Sequence, residues 1–287
     1  MNTIPSADAA ARLLYLVAHP DDAEFLGGGL ATLHARRGSV VKFVSLTNGD
    51  AGHHLHAGPQ LAERRRKEAE EAAAVIGATA EVWSHHDGCL QPTLELRWQV
   101  VREIRRFKPD LVLTHRTNDY HPDHRAVGTV VQDACYLVTV PALAADTPAL
   151  ARDPVVAFLP DRFTKPVPLA GDVVLDVGEC ADTIVEMLAC HRSQFFEWLP
   201  FNLRIADQVP EAETAGSDRA RRAWLKTWYL DHLRPQADRY RRELVARYGE
   251  SHGRRIEFAE VYEISEYAAP LNTALEDRLF LKRKREA

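Results

Sequence analysis

Two His-Pro-Asp sequences bring histidine and carboxylate side chains together in the first half of the chain. His19-Pro-Asp-Asp22 directly follows an apolar stretch, and His121-Pro-Asp-His124 begins seven residues after another. Proline suits the first position of a helix, and residues three apart then share one helical face. His19 and Asp22 therefore point the same way, as do His121 and His124. Two histidines and one carboxylate suit Zn²⁺ and also Fe²⁺, so ligand type leaves the metal open.

Asp21 adjoins Asp22 but, one residue away, cannot share its direction. A second carboxylate beside a metal-activated water is placed to act as a general base. The alternative is that both aspartates only complement the dipole of a helix N-terminus, which contributes about 0.3–1 kcal/mol each. Because the pattern occurs twice, each time after a predicted strand, we favour the metal site.

The elements around these motifs predict an α/β fold. Apolar runs typical of buried parallel strands lie at 13–18, 40–46, 80–84 and 111–114. Helical spacing fills the intervals at 25–37, 59–76, 94–107 and 123–140. This alternation predicts a Rossmann-like, doubly wound, mostly parallel sheet with helices on both faces. In such a sheet the first and fourth strands are neighbours and ligands bind beyond their carboxyl ends, where both motifs lie.

The chain beyond residue 140 is less regular. Residues 141–170 hold six of the sixteen prolines and read as a loop with a short strand at 155–159. A strand at 172–177 and a helix at 180–194 complete an α/β core over residues 1–194. Residues 195–287 are predicted to be a mainly helical C-terminal extension, with one strand at 260–264. We expect a single domain over residues 1–287.

Composition excludes several classes of protein. The formal charge of −5 argues against a nucleic-acid binder, which usually carries a basic face. No run of roughly 18 apolar residues is present, so no membrane span is expected. The four cysteines lack C-x-x-C spacing and indicate free thiols in a reducing compartment. Residues 1–12 lack the features of a signal peptide. These observations predict a cytoplasmic protein, and they are compatible with a homo-oligomer.

The motif pair resembles the LmbE-like or PIG-L family of zinc-dependent N-deacetylases. The resemblance is carried by Ala18–Gly29, which reads AHPDDAEFLGGG, and by His121–Gly128, which reads HPDHRAVG. Shorter supporting stretches are Thr47–Gly52, Arg65–Glu68, His86–Leu90 and His191–Gln194. The similarity covers roughly residues 13–194. It does not extend to the C-terminal third.

The resemblance implies a role for each matching residue. His19, Asp22 and His124 are expected to be the zinc ligands. Asp21 is expected to be the general base, and His121 to stabilise the tetrahedral oxyanion or protonate the leaving amine. Asp123 is expected to orient His121. Arg65 and Asp87 are expected to be substrate-side or scaffold polar groups, and Glu24 a supporting group. Some relatives carry a tyrosine two residues before the second motif; here that position is Asp119, so Tyr120 receives no catalytic role.

The reaction implied by the resemblance is removal of an N-acetyl group from an amino sugar or glycoconjugate of the N-acetylglucosamine type. The expected cofactor is Zn²⁺, with Fe²⁺ as an alternative, and the expected partner is the small N-acetylated substrate. Two other functions stay open. One is an amidase acting on another N-acylated small molecule, and the other is a non-catalytic relative that binds a sugar or nucleotide.

Several other features have a simpler structural interpretation. Gly27-Gly-Gly29 lacks G-x-G-x-x-G spacing and indicates close helix–sheet packing. The loop with His53, His54 and His56 is predicted to be polar surface rather than cleft rim. His85, His86 and His115 end predicted strands at the edge where the site forms. The aromatic run 195–201, with Trp224 and Trp228, favours core or oligomer contact over sugar stacking. The basic tail 279–287 is typical of a frayed terminus.

Overall fold

The computed structural model describes residues 10–212 and 217–281, and its strands form one mixed sheet of seven. The strands are β1 (Arg12–Val17), β2 (Val40–Thr47), β3 (Thr79–His85), β4 (Leu111–Thr114), β5 (Val155–Phe158), β6 (Val173–Asp176) and β7 (Ala259–Ile264). Their order is β3-β2-β1-β4-β5-β7-β6. The first five strands pair in parallel, whereas β7 runs antiparallel to β5 and β6. The predicted doubly wound, mostly parallel fold is confirmed.

The helices agree closely with the predicted ones in the first half of the chain. They are α1 (Asp22–Ala35), α2 (Pro59–Ala74), α3 (Leu94–Phe107), α4 (Pro122–Leu137), α5 (Ala181–Cys190), α6 (Leu199–Asn202), α7 (Ser217–Arg239), α8 (Arg241–Tyr248), α9 (Glu250–Gly253) and α10 (Thr273–Leu279). The helix predicted to reach residue 194 is wrong in its last turn. The backbone leaves the helical region at His191, and a π-helical turn follows over Gln194–Trp198.

Both faces of the sheet are buried, because alternate side chains of β1 pack into different clusters. Leu13, Tyr15 and Val17 belong to the cluster that includes residues of α1, α5 and α7. Leu14 and Leu16 belong to the cluster with α3 and α4. This two-sided burial explains why β1 has an uninterrupted apolar sequence rather than an alternating one.

The adjacency of β1 and β4 positions the site. Leu13 pairs with Leu111 and Leu16 with Thr114, so the two strands end side by side. Strand order reverses at this point, because β2 and β3 lie on one side and β5 on the other. The segments that follow β1 and β4 therefore meet at one edge, in the crevice typical of ligand sites in such sheets.

The triple glycine lets α1 lie close against the sheet, as predicted. A Cβ on Gly27 would lie 2.8 Å from Tyr15 Cε1, and one on Gly29 would collide with Val177. The helix is kinked at Gly27, whose φ and ψ are −139° and 20°. Beyond the kink, the Glu260 carboxylate from β7 accepts hydrogen bonds from the backbone N–H groups of Gly29 (2.6 Å) and Leu30 (2.9 Å).

None of the helices within residues 10–212 and 217–281 is long and apolar enough to cross a membrane. Residues 1–9 lie outside the described residues, and they make up most of the N-terminal segment that was predicted to lack a signal peptide. The basic tail from residue 282 also lies outside them. The cytoplasmic location and the division into core and extension stay predictions.

Candidate metal centre and catalytic site

Three side-chain atoms from the two His-Pro-Asp motifs converge at the carboxyl edge of the sheet. His19 Nδ1 lies 3.3 Å from Asp22 Oδ2 and 3.2 Å from His124 Nε2, and Asp22 Oδ2 lies 3.5 Å from His124 Nε2. Ligand atoms about 2.1 Å from a tetrahedral ion lie about 3.4 Å from one another. The triangle therefore fits one face of a tetrahedral site, with a fourth position for water or substrate. The structure brings together the three predicted ligands; their role as ligands stays a prediction.

Each of the two histidines has a carboxylate beside its second ring nitrogen. His19 Nε2 lies 3.2 Å from Asp87 Oδ1 and 3.4 Å from Asp123 Oδ2. His124 Nδ1 lies 3.2 Å from Asp119 Oδ1. Carboxylates at this position fix the orientation of metal-binding histidines and raise their basicity. This arrangement fits a divalent ion better than it fits a simple buried ion pair.

Asp22 is surrounded by imidazoles. His115 Nε2 lies 3.3 Å from Asp22 Oδ2, and the His115 ring stacks on His124 with 3.9 Å between centroids. Burial opposes ionisation of Asp22, but His124 and His19 together hold its pKa well below the usual value. Asp22 is therefore a carboxylate, the form that a metal ligand requires.

Asp21 has a strained backbone and a partly buried side chain. Its φ of 151° and ψ of −22° are unfavourable for a residue with a Cβ. Its Oδ1 lies 3.3 Å from Nη2 of Arg65, which also donates to the carbonyl oxygen of Pro20. Burial raises the pKa of Asp21 to about 6, although Arg65 opposes the shift. The carboxyl group is thus held beside the triangle of His19, Asp22 and His124 atoms, here called the ligand triangle, but apart from it, as a proton acceptor must be.

His121 caps α4 and directs one ring nitrogen away from the helix. Its Nδ1 accepts a hydrogen bond from the Asp123 backbone N–H at 3.2 Å. In the neutral ring the proton then resides on Nε2, which is free to donate. Burial lowers the pKa of His121, as do His19 and His124 nearby. The ring lies against His19, with centroids 4.5 Å apart, so its donor is next to the ligand triangle.

The role of Asp123 as the partner that orients His121 stays a prediction. Its fully buried carboxylate accepts hydrogen bonds from the backbone N–H groups of Gly88 (2.7 Å) and Leu90 (3.1 Å) in the loop after β3. The carboxylate also lies 3.4 Å from His19 Nε2, and one of its oxygens is within 4.8 Å of a ring nitrogen of His121. Asp123 thus lies beside both histidines, with the shorter contact to His19.

The remaining predicted residues surround Asp21. Arg65 is 2% exposed and donates to the Gly49 carbonyl oxygen at 3.2 Å. This contact fixes the guanidinium that holds the Asp21 carboxyl group in place. Asp87 lies between His19 and Arg65. Glu24 faces the buried His191, with Oε1 and Nε2 3.2 Å apart. These contacts favour the scaffold alternative for Arg65, although both Arg65 and Asp87 border the cavity.

A cavity of about 850 Å³ opens over this cluster. Its floor holds the ligand triangle with Asp21 and His121. Its walls come from the segments after β5, around the π-helical turn and on α7, and include Phe25, Arg162, Phe163, Trp198, Trp228 and His232. Phe195 and Phe196 belong to the core, as the preferred interpretation of the aromatic run predicted, but Phe195 also borders the cavity together with Trp198 and Trp228.

Sequence reasoning left His115 and Asp119 without assigned contacts. Asp119 lies two residues before the second motif, and its carboxylate also accepts from the His121 backbone N–H at 2.8 Å. A short acidic residue just before a helix start is the signal that could have identified it. By contrast His86, thought a candidate for the site, is bound to Asp50 and is not among the residues that border the cavity. His85 contacts Gln99 instead.

Residues 14–135 match the family model described as PIG-L: GlcNAc-PI de-N-acetylase. The 4-oxalmesaconate hydratase of Pseudomonas putida is 25% identical over 193 residues, 64% of this chain and 74% of that protein. The "Probable N-acetyl-alpha-D-glucosaminyl L-malate deacetylase 2" of Bacillus subtilis is 28% identical over 193 residues, 63% of this chain and 82% of that protein.

Among solved structures, the N,N'-diacetylchitobiose deacetylase of Pyrococcus horikoshii has the same fold. Its TM-score is 0.65 at 21% identity, and the match covers 90% of this chain and 85% of that one. The match extends well beyond residue 135, so most of the C-terminal third has a counterpart in that structure.

Proposed function

Because residues 14–135 match the family model described as PIG-L: GlcNAc-PI de-N-acetylase, we propose that this protein is a metal-dependent hydrolase that removes an N-acetyl group from an amino sugar or glycoconjugate. The observation that carries the proposal is the triangle of His19, Asp22 and His124 atoms beside Asp21, at the floor of a cavity. The resemblance favours Zn²⁺, and the ligand types also accept Fe²⁺.

His19, Asp22 and His124 would hold the ion, which when bound supplies Lewis-acid polarisation and acidifies water. Asp21 takes the proton from a water molecule as the water oxygen attacks the acetyl carbon. Its pKa of about 6 makes it an acceptor near neutral pH while leaving it able to return the proton. Arg65 keeps the carboxyl group in place through the 3.3 Å contact.

His121 supplies the complementary hydrogen bond. The Nε2–H of its neutral ring donates toward the acetyl oxygen as negative charge develops there, a contribution of several kcal/mol in comparable sites. The C–N bond then breaks, and the proton taken up by Asp21 passes to the leaving nitrogen. The products are acetate and the free amine. The aromatic side chains Phe25, Trp198 and Trp228 offer faces on which a sugar ring can pack.

A hydratase is the second candidate, because one relative is a 4-oxalmesaconate hydratase. Hydration also begins with loss of a proton from water, so the same floor residues can serve it. The acceptor would be a carbon–carbon double bond rather than an amide. An amidase that acts on another N-acylated amine would use the same steps as the deacetylase.

The test combines metal analysis with product detection. Purified protein is loaded with Zn²⁺ or Fe²⁺ and assayed for acetate release from a panel of N-acetylated sugars and other acetamides, and for hydration of unsaturated dicarboxylates. We expect acetate from at least one N-acetyl sugar and about one ion per chain. Metal-loaded protein that releases no acetate from any of them would refute the deacetylase, and hydration alone would replace it by the second candidate.

A further inference from the structure

Arg162, on the cavity wall, has a guanidinium without an anionic partner among the residues that the structure describes. Arg162 follows β5 and borders the cavity. The preceding Asp161 is engaged by the buried Arg116 in hydrogen bonds of 2.6 and 2.8 Å. No carboxylate oxygen of residues 10–212 or 217–281 lies within 4.0 Å of the Arg162 nitrogens, which is the distance limit for an ion pair. Arg162 therefore presents an uncompensated charge to the cavity.

The groups that do contact Arg162 do not neutralise it. Its Nη2 meets the Nδ1 atom of His232 and lies 3.3 Å from the His232 carbonyl oxygen. Burial and the nearby arginine lower the pKa of His232 to about 4, so the ring is neutral at pH 7. A neutral acceptor and a carbonyl orient the guanidinium without cancelling its charge.

A continuous aromatic wall connects Arg162 to the ligand triangle. Phe25 lies three residues after Asp22 on α1, about one helical turn away. Its ring centroid is 4.6 Å from that of His232 and 6.2 Å from that of Trp228. A sugar ring whose acetamido group sits at the triangle can pack along this wall. A substituent of that ring can then extend toward Arg162, which lines the same cavity.

We propose that Arg162 binds a carboxylate carried by the substrate beyond its N-acetylated sugar ring. This inference rests on the proposed function and narrows the substrate to acidic glycoconjugates. A planar guanidinium suits a carboxylate because it can donate two parallel hydrogen bonds to it. The neutral His232 holds the Arg162 guanidinium in place.

One acidic group shares this part of the cavity. Asp231 precedes His232 on α7 and also borders the cavity, yet it forms no ion pair with Arg162 in the described structure. As a like charge it weakens the binding of a substrate anion. Removal of this charge by Asp231→Asn should therefore tighten binding of the acidic ligand. The effect is opposite to the one expected for removal of the Arg162 charge.

The test compares two glycosides of N-acetylglucosamine that have the same shape and differ in charge, the carboxymethyl and the carbamoylmethyl α-glycoside. Binding is measured by calorimetry with metal-loaded Asp21→Asn protein, in which turnover is suppressed. We expect the carboxymethyl glycoside to bind about 10-fold or more tightly, in line with a charge-assisted bidentate contact. Arg162→Gln should reduce this preference to about 2-fold or less, and Arg162→Lys should retain part of it.

Arg234→Gln is the matched control. Arg234 lies on α7, the helix that carries His232, but it is exposed and pairs with Glu257 rather than facing the cavity. This variant should keep the full preference. Equal binding of the two glycosides, no binding of either, or a preference that survives Arg162→Gln would overturn the inference. Acetate release by the unmodified enzyme is measured separately. A binding preference without acetate release would refute the deacetylase proposal but support the anion site at Arg162.

Discussion

Replacing Asp21 with asparagine should stabilise the metal-free protein at alkaline pH. Burial raises the pKa of this carboxyl group from 3.8 to about 6. A group with a raised pKa contributes stability that is fully present below the unfolded value, near pH 4, and is lost as the pH rises through 6. The difference of roughly two units corresponds to about 3 kcal/mol. Asparagine does not ionise, so the variant should gain about 3 kcal/mol over the natural protein between pH 4 and pH 8.

Urea unfolding in the presence of a chelator measures this gain, at pH 4.5, 6 and 8 for both proteins. Asp87→Asn is the matched control, because His19 and Arg65 hold the pKa of Asp87 below its usual value despite its burial. A carboxyl group whose pKa is lowered on folding stabilises the protein at pH values above its unfolded pKa. Asp87→Asn should therefore become less stable than the natural protein as the pH rises. A stability difference between Asp21→Asn and the natural protein that does not change with pH would refute the electrostatic reasoning.

The same variant tests the chemical role. With Asp21 as general base, Asp21→Asn should lower kcat by about 10²–10⁴-fold. Its metal content, measured by mass spectrometry of the dialysed protein, should stay unchanged. Loss of the metal would mean that Asp21 is a ligand and that its role and that of Asp22 are exchanged. Full activity would remove Asp21 from the mechanism altogether.

Three further changes have outcomes that the packing and charges determine. Gly29→Ala should cost about 1–3 kcal/mol in urea unfolding, because its Cβ would collide with Val177. Gly28→Ala should cost less, because its Cβ would come no closer than 3.1 Å to Met187 and 3.3 Å to Ile184. Arg105→Met should cost about 2–4 kcal/mol, since the guanidinium donates to backbone carbonyls throughout residues 137–147. Metal loading at pH 7 should release protons, because Asp22 and Asp119 raise the pKa of His124 to about 9 against the effect of burial. Calorimetry in buffers of different ionisation enthalpy counts these protons, and affinity should rise from pH 6 to pH 9.

The sequence predicted those parts of the site that follow directly from local structure. His19 and Asp22 share a face because α1 begins immediately after β1. The meeting of the two motifs followed from the strand order of a doubly wound sheet, and the pairing of Leu16 with Thr114 bears out that step. The bounds of α3 and β4 were predicted without error, because Thr93 caps the helix and Lys108-Pro-Asp110 separates it from the strand.

The contacts that the sequence did not predict depend on loops. The Asp123 carboxylate contacts His19 and the loop after β3, where the backbone N–H groups of Gly88 and Leu90 donate to it. The break at His191 arises where a buried imidazole pairs with Glu24 instead of continuing the helix. Neither outcome can be derived from propensity or periodicity, because each is decided by residues far away in the chain.

Two parts of the chain form the cavity, and under the proposed mechanism this division separates the reaction step from the choice of substrate. Deacetylation and hydration both need a water molecule that loses a proton as its oxygen attacks carbon, and we propose that Asp21 with the ligand triangle serves that step in either case. These residues lie within residues 14–135, which match the family model. Arg162, Trp198, Trp228 and His232 lie outside that range and form much of the wall, to which Phe25 also contributes. The choice of substrate must therefore be made mainly by the wall, so exchanging wall residues should change specificity while metal binding at the floor is retained.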